Sequence, residues 1–179
     1  LEVPVQVLFE GLDLDMYRKV KQVDVAPTII NELKDIKNDF CYLFVGHWLS
    51  GDLGHDRKDV GMMIKTFCEA FKRKSSHNRP ALILKTSFAV FSIIDRDTIM
   101  SKIQQITQQY GKNAPDIYLL HGDLTDSEMN SLYNHTKIKA MVSFTKGEGF
   151  GRPLLEFSTT GKPVLASNWS GHIDFLNKD

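Results

Sequence analysis

The segment Ser143–Glu156 combines three glycines with two glutamates, residue types suited to binding phosphate and sugar hydroxyls. Gly147, Gly149 and Gly151 let the backbone turn tightly and approach a ligand without a Cβ in the way. Pro153 suits the first turn of a helix, and the free N–H groups of such a turn attract anions. The pattern predicts a cradle for a diphosphate.

The charged residues of this segment fit the same chemistry. Arg152 would add positive charge to the cradle. Glu156 falls in the first helical turn, where the helix dipole favours a carboxylate, and it is placed to accept both hydroxyls of a ribose. Glu148, on the loop, would accept hydrogen bonds from sugar hydroxyls or stabilise developing positive charge.

Plainer interpretations stay open for the same residues. Glycine-rich turns between a strand and a helix also occur without a ligand, and a first-turn glutamate is often only a helix cap. The spacing also differs from the dinucleotide fingerprint G-x-G-x-x-G, because the third glycine comes one residue early.

Five short apolar runs must position this loop. They are continuous rather than alternating, as expected for parallel strands covered on both faces. The predicted strands are Tyr42–Gly46, Ala81–Lys85, Ile117–Leu120, Ala140–Ser143 and Pro163–Ala166.

Helical periodicities occupy the intervals between these runs. They predict four helices. Two cover residues 57–74 and 97–110, one is opened by the capping box Thr125–Glu128, and the last starts near Pro153 and ends by Gly161. The alternation predicts an α/β fold, a Rossmann-like, doubly wound and mostly parallel sheet with helices on both faces. Ligands of such sheets bind beyond the carboxyl ends of the strands.

The first forty residues are less regular. Val3–Phe9 reads as an extended strand, followed by a turn at Glu10–Gly11. Residues 24–38 are either a helix or an ordered linker, with isoleucines and a leucine at helical spacing.

Composition narrows the function classes. The 179 residues suit one domain, and 42% hydrophobic with 25% charged residues exclude disordered, collagen and coiled-coil classes. Twenty-two basic and 22 acidic residues give no general basic field for nucleic acid. Cys41 and Cys68 form no disulfide framework or metal spacing, which favours buried, reduced thiols and a cytoplasmic location. Lys85 and Lys139 interrupt the longest apolar runs, so no transmembrane segment is predicted.

The sequence has no initiator methionine or signal peptide, begins in a strand-like run and stops in a helix-like one. We therefore expect a fragment of a larger chain.

Taken together, Glu148-Gly-Phe-Gly-Arg-Pro-Leu-Leu-Glu156 and the following Gly161–Ser167 resemble the E-x7-E signature of retaining GT-B-fold glycosyltransferases. The similarity covers most of the chain, and its further pieces are Val3–Asp13, Phe44–His47, Arg57–Lys58 and Leu120–Asp126. It implies one half of a GT-B fold. Residues 1–38 would be an interdomain linker with a first strand, and residues 39–179 the Rossmann-like, donor-binding domain.

The resemblance implies roles for individual residues. Glu148 would be catalytic and face hydroxyls of the transferred sugar, Glu156 would hold the ribose, and Lys58 would neutralise the diphosphate. Backbone amides near Gly149, Phe150 and Gly151 would contact the sugar, and those near Leu154 and Leu155 the diphosphate.

Several further positions have more than one interpretation. His121 and Gly122 resemble a base pocket, although a loop histidine in solvent is the alternative. His47 stands where the family usually has an arginine, which Arg57 would replace in phosphate binding. Arg152 replaces an aliphatic residue and is either an extra phosphate ligand or a solvated side chain.

Two other residues have plainer interpretations. Lys85 reads as a sheet-end lysine that extends into solvent rather than into the cleft. His172 reads as a surface residue.

The expected function is sugar transfer from a nucleotide-diphosphate sugar with retention of anomeric configuration. The resemblance implies no protein nucleophile, no metal and no other cofactor. The partners would be the nucleotide sugar and an N-terminal, acceptor-binding domain of the parent chain, with no nucleic acid. We expect the chain alone to bind nucleotide weakly and to transfer no sugar. The alternatives are a sugar-nucleotide epimerase of the same fold and a non-catalytic α/β interaction module.

Overall fold

A computed structural model of the chain describes residues 3–6, 8–48, 53–75, 78–88 and 91–176. Five parallel strands form one sheet in the order β3-β2-β1-β4-β5. Their bounds are Cys41–Val45 (β1), Ala81–Lys85 (β2), Ile117–Leu120 (β3), Ile138–Ser143 (β4) and Val164–Ala166 (β5).

Helices connect the strands. They are Pro27–Glu32 (α1), Val60–Phe71 (α2), Ile93–Thr107 (α3), Asp126–Asn134 (α4) and Arg152–Ser158 (α5). Shorter 3-10 turns occupy Gln22–Asp24, Gln108–Asn113 and Gly171–Asp174.

The helices cover both faces of the sheet, as predicted. Apolar residues of α1, α4 and α5 pack with one side of the strands, including Leu43 and Ile83. Those of α2 and α3 pack with the other side, including Phe44 and Leu84. Neighbouring strand residues thus pack into opposite layers, which explains why most residues of the strands are apolar.

The cysteine prediction also agrees with the packing. Cys41 and Cys68 are unpaired thiols, and each belongs to one of the two apolar layers. Burial raises the pKa of both thiols to about 11.

All five predicted strands are confirmed to within two residues, and so is the capping box of α4. In that box the Thr125 hydroxyl accepts the Glu128 N–H at 3.3 Å, and the Glu128 carboxylate accepts the Thr125 N–H at 3.0 Å. The third helix starts four residues before the predicted position, because the Ser92 hydroxyl accepts the Asp95 N–H at 3.0 Å and caps it.

The predicted strand Val3–Phe9 is wrong over its described residues. Residues 3–6, 8 and 9 are exposed and lie outside the sheet, and Pro4 lacks an N–H group for a ladder. Residue 7 falls outside the described ranges. Within 24–38, the chain forms the short helix α1 and then a turn.

Residues 13–26, which we call the N-terminal strap, lie against α4. The N–H groups of Arg18, Val20 and Ala26 donate to the side chains of Asn130 (3.2 Å), Asn134 (2.9 Å) and Ser131 (3.1 Å), respectively. These three polar residues of α4 are buried. The strap satisfies the hydrogen-bonding groups that their burial removes from water.

The strand order creates a crevice. β1 and β4 are neighbours, and the chain leaves them toward opposite edges of the sheet. Such a switch point is where open parallel sheets bind ligands, beyond the carboxyl ends of the strands. Within the described ranges, no helix is long and apolar enough to cross a membrane.

Candidate functional site

A cavity of about 360 Å³ opens at this switch point. The loops after β1 and β2, the segment just before α2 and Pro153 of α5 contribute to its wall. Two of its lining residues are the buried lysines Lys58 and Lys85. A larger groove, of about 970 Å³, runs beside the edge strand β5. Its lysine, Lys162, donates hydrogen bonds to the carbonyls of Tyr133 (2.7 Å) and His135 (2.9 Å). Because two buried lysines line the smaller cavity, we take it rather than the groove as the candidate binding site for an anionic ligand.

The glycine loop between β4 and α5 presents bare backbone. A Cβ added at Gly147 or Gly149 would meet no atom within 4 Å. Gly151 precedes α5 with a φ of 90°, a left-handed conformation that favours glycine. Within the described part of the chain, the N–H groups of Gly149, Phe150 and Gly151 donate no hydrogen bond. Gly149 is exposed, Phe150 is half-buried and Gly151 is buried, so the backbone of Gly149 is the most accessible of the three to a ligand.

The amides of Leu154 and Leu155 are placed differently. Their N–H groups donate to the Gly151 carbonyl at 2.9 and 3.3 Å, so both are already satisfied inside the first turn of α5. Sequence spacing alone does not distinguish these amides from the free ones in the loop.

Glu148 lies between the two cations predicted to serve the diphosphate. Its carboxylate contacts Lys58 Nζ, and its second oxygen lies 3.4 Å from the guanidinium of Arg57. The Arg57 guanidinium also donates to the Gly147 carbonyl at 2.5 Å. The structure thus brings these three predicted site residues and the glycine loop together.

Lys58 is held in place by an aspartate that sequence reasoning missed. The buried carboxylate of Asp56 accepts the Lys58 N–H at 3.1 Å and the Val60 N–H at 3.2 Å, which fixes the chain just before α2. An aspartate directly before a helical periodicity is a recognisable N-terminal signal. That signal was available in the sequence.

The prediction that Glu156 falls in the first helical turn is wrong, because α5 begins at Arg152 and Glu156 is its fifth residue, in the second turn. Its carboxylate is engaged by protein groups. The Tyr133 hydroxyl donates to one oxygen at 2.8 Å, and Arg152 Nε donates to the other at 2.9 Å. Burial raises the pKa of the Glu156 carboxyl, and the two hydrogen bonds partly oppose that rise. Tyr133 is fully buried, whereas the Arg152 side chain is 57% exposed. Only Arg152 is therefore placed to move aside.

His121 forms a second cluster at the carboxyl end of β3. Its Nε2 lies 2.7 Å from the buried carboxylate of Asp95, and its ring meets Phe91 edge-on at 5.6 Å. The Asp95 carboxylate also accepts the Phe88 N–H at 3.2 Å, so it joins the loops after β2 and β3. The contacts favour a fixed His121 over a solvated one.

The interpretation of Lys85 as a solvent-directed lysine is wrong. Lys85 is buried and lines the cavity, and its Nζ donates to the Gly122 carbonyl at 2.5 Å. Its Nζ also lies 5.2 Å from the centre of the Phe91 ring. Burial lowers the pKa of the Lys85 ammonium. The loop after β3 thus lies against the Lys85 ammonium.

The surface interpretation of His172 is wrong as well. The residue is buried, and its Nε2 lies 2.6 Å from the Ser167 carbonyl. It packs behind Gly151, where an added Cβ would lie 3.0 Å from the His172 Cβ. His47 lines the cavity, with Nδ1 3.2 Å from the Ser87 hydroxyl.

No protein-family model matches the sequence, and no curated protein matches it. Solved structures do match. The C-terminal domain of a glycosyl transferase group 1 family protein from Francisella tularensis has a TM-score of 0.65 at 17% identity, covering 94% of this chain and 76% of that one.

Two matches are to longer chains. Sucrose-phosphate synthase from Thermosynechococcus elongatus has a TM-score of 0.57 at 20% identity, over 90% of this chain and 34% of that one. A trehalose-6-phosphate protein from E. coli, bound with UDP-2-fluoro glucose, has a TM-score of 0.57 at 14% identity, over 84% and 34%. This chain spans about a third of their length. The chain has the Rossmann-like fold of the C-terminal domains of GT-B glycosyltransferases.

Proposed function

We propose that this chain binds a nucleotide-diphosphate sugar and is the donor half of a retaining GT-B glycosyltransferase. One observation carries the proposal. The buried Lys58, which lines the cavity at the switch point, contacts the carboxylate of Glu148 in the glycine loop, so a cation and a hydroxyl acceptor lie side by side.

The diphosphate would lie against Lys58 and Arg57. Both cations contact Glu148 in the free protein, and a lysine has three protons to share between a carboxylate and a phosphate. The free amides of Gly149, Phe150 and Gly151 supply further donors. Lys85 lines the same cavity and adds a third positive charge, although it also donates to the Gly122 carbonyl.

The sugars would lie on the two glutamates. Glu148 would accept hydroxyls of the transferred sugar once the diphosphate shares its cations. Glu156 would accept the ribose hydroxyls in place of the exposed Arg152 side chain, while Tyr133 keeps the other carboxylate oxygen in position. The cluster of His121 and Gly122 would border the base.

Transfer with retention would proceed on one face of the donor sugar. The bond from the anomeric carbon to the phosphate oxygen breaks, and the acceptor oxygen bonds to the same face. The acceptor proton passes to the departing phosphate. Lys58 and Arg57 stabilise the charge that develops on that diphosphate. Metal independence and a cytoplasmic location are parts of the same proposal.

The acceptor would be held by a separate N-terminal domain. We therefore expect the 179-residue chain to bind nucleotide weakly and to transfer no sugar. The epimerase and the non-catalytic module are not favoured, because the structural neighbours are described as a glycosyl transferase and sugar-phosphate synthases.

Titration of the chain with UDP and with GDP tests the proposal. We expect one of them to bind, and Lys58→Met to weaken that binding at least about tenfold, since a charge-assisted contact is worth roughly 1.5–3 kcal/mol. Lys112→Met is the matched control, because Lys112 is exposed and precedes β3 at the opposite end of the sheet. Failure of both nucleotides to bind, or equal affinities for the Lys58 variant and the control, would contradict the proposal.

A further inference from the structure

Ser170, in the loop after β5, has a backbone conformation that serine rarely adopts. Its φ is 81° and its ψ is −176°. This region is essentially reserved for glycine, since a Cβ makes it strained. Such a conformation persists only where the surroundings hold it in place.

The Ser170 side chain provides that hold by binding the backbone of Glu148 twice. Its Oγ accepts the Glu148 N–H at 2.8 Å and donates to the Glu148 carbonyl at 2.8 Å. The Gly171 N–H donates to the same carbonyl at 3.1 Å. Both main-chain groups of Glu148 are thus bound by the loop that follows β5.

The next residue brings the two loops into direct contact. A Cβ at Gly171 would lie 1.9 Å from the Gly149 carbonyl oxygen and 3.0 Å from that of Glu148. No side chain fits there without moving the glycine loop. Glu148 is therefore fixed from behind by Ser170 and Gly171, and from the front by Lys58 and Arg57.

We propose that Ser170 is a positioning residue that sets the Glu148 carboxylate against the transferred sugar. This inference rests on the proposed function, because it assigns Ser170 to the sugar-binding role of Glu148. The strain at Ser170 is the cost of placing a hydroxyl where glycine would fit the backbone better.

The first test needs no ligand. Amide hydrogen exchange of the full chain is measured at Glu148 in the wild type, Ser170→Gly and Ser167→Ala. Ser167 is the matched control, because its hydroxyl donates to Thr145 O at 3.1 Å in the same glycine loop and does not contact Glu148. We expect exchange at Glu148 to be at least about tenfold faster in Ser170→Gly only. Unchanged exchange would overturn the inference.

The second test separates sugar from nucleotide. Affinities are measured for UDP-glucose against UDP and for GDP-mannose against GDP. In Ser170→Gly, the ratio of the affinity for the preferred sugar nucleotide to that for its bare nucleotide should fall about fivefold, while the affinity for the bare nucleotide stays unchanged. The variant should fold at least as stably as the wild type, because the backbone strain is relieved. Ser170→Ala should show the same loss in a less stable chain.

The two proposals fail in different ways. Equal loss of sugar nucleotide and bare nucleotide in Ser170→Gly would show a merely structural role and overturn the inference. If the wild type binds neither pair, the proposed function fails and the sugar-positioning role fails with it. The exchange measurement then shows only whether the Glu148 backbone is held.

Discussion

The Tyr133 hydroxyl donates a hydrogen bond of 2.8 Å to the Glu156 carboxylate from inside the core. The tyrosine is on α4 and the glutamate on α5, and the ring of Tyr133 also meets Phe157 edge-on at 5.7 Å. A residue proposed to touch the ligand is thus anchored to the apolar layer beneath the sheet.

Replacing Tyr133 with phenylalanine should destabilise the fold. The change leaves a buried carboxylate oxygen without its donor, and hydrogen bonds to charged groups contribute about 1.5–3 kcal/mol. Urea denaturation at neutral pH measures the loss. Tyr110→Phe is the control, because its hydroxyl binds the exposed Glu69 and should cost less than about 1 kcal/mol. Equal losses in the two variants would contradict the prediction, because they would show that the buried hydrogen bond stabilises the fold no more than the exposed one.

Replacing Arg152 with methionine should tighten nucleotide binding. Arg152 occupies the Glu156 oxygen that the ribose would use. The carboxylate is buried, but the guanidinium is exposed to solvent, so displacing it should cost about 0.2–1 kcal/mol. We expect UDP or GDP affinity to rise up to about fivefold by calorimetry. Arg96→Met is the control, since Arg96 pairs with Asp97 on the exposed surface of α3. A weaker affinity would instead assign Arg152 to the phosphates.

The raised pKa of the Glu156 carboxyl predicts that the free energy of unfolding depends on pH. Because burial raises the folded-state pKa of the Glu156 carboxyl above its ordinary value of 4.5, the folded chain binds the proton more tightly than the unfolded chain. Stability from this group therefore falls as pH rises from 4.5 through the raised pKa. The free energy of unfolding of the wild type, minus that of Glu156→Gln, should decrease over this window. A difference that increases with pH would contradict the assignment.

Two glycine variants should separate packing from ligand space. Gly171→Ala forces a Cβ onto the Gly149 carbonyl and should lower stability together with binding. Gly149→Ala meets no protein atom within 4 Å, so it should leave the melting temperature unchanged and weaken sugar-nucleotide binding. Thermal unfolding and titration are measured on both. Normal binding by a stable Gly149→Ala chain would mean that the loop does not approach the ligand.

The capping box should account for about 1 kcal/mol of stability. Thr125→Ala removes the side-chain oxygen that accepts the Glu128 N–H and leaves α4 uncapped. Thr98→Ala, at an exposed position inside α3, is the control and should change stability by less than about 0.5 kcal/mol. Urea denaturation of the three chains compares the two effects.

The strands and helices of the sheet could be predicted because each is marked by a pattern of adjacent residues. Each strand is a short apolar run, and each interval has its own period or cap, so the order and type of the elements follow from adjacent residues. The glycine loop was visible for the same reason. The strand predicted at Val3–Phe9 failed because an extended, apolar run does not say whether a neighbouring strand exists to pair with it.

The partners of the site residues were not predictable in the same way. Tyr133 lies 23 positions before Glu156, and Asp95 lies 26 before His121. Nothing in their local pattern marks them as partners, because the fold alone brings them together. Lys85 and His172 were misjudged for the same reason, since their burial depends on the Gly122 and Gly151 loops.

The strap joins Arg18 to Asn130 and Val20 to Asn134, residues more than a hundred positions apart. Closing so long a loop has an entropic cost that is offset only after the intervening sheet has formed. The strap is therefore expected to dock last during folding and to detach first under mild denaturant. A protease added at that stage should cut ahead of residue 26 while the five-stranded sheet stays resistant.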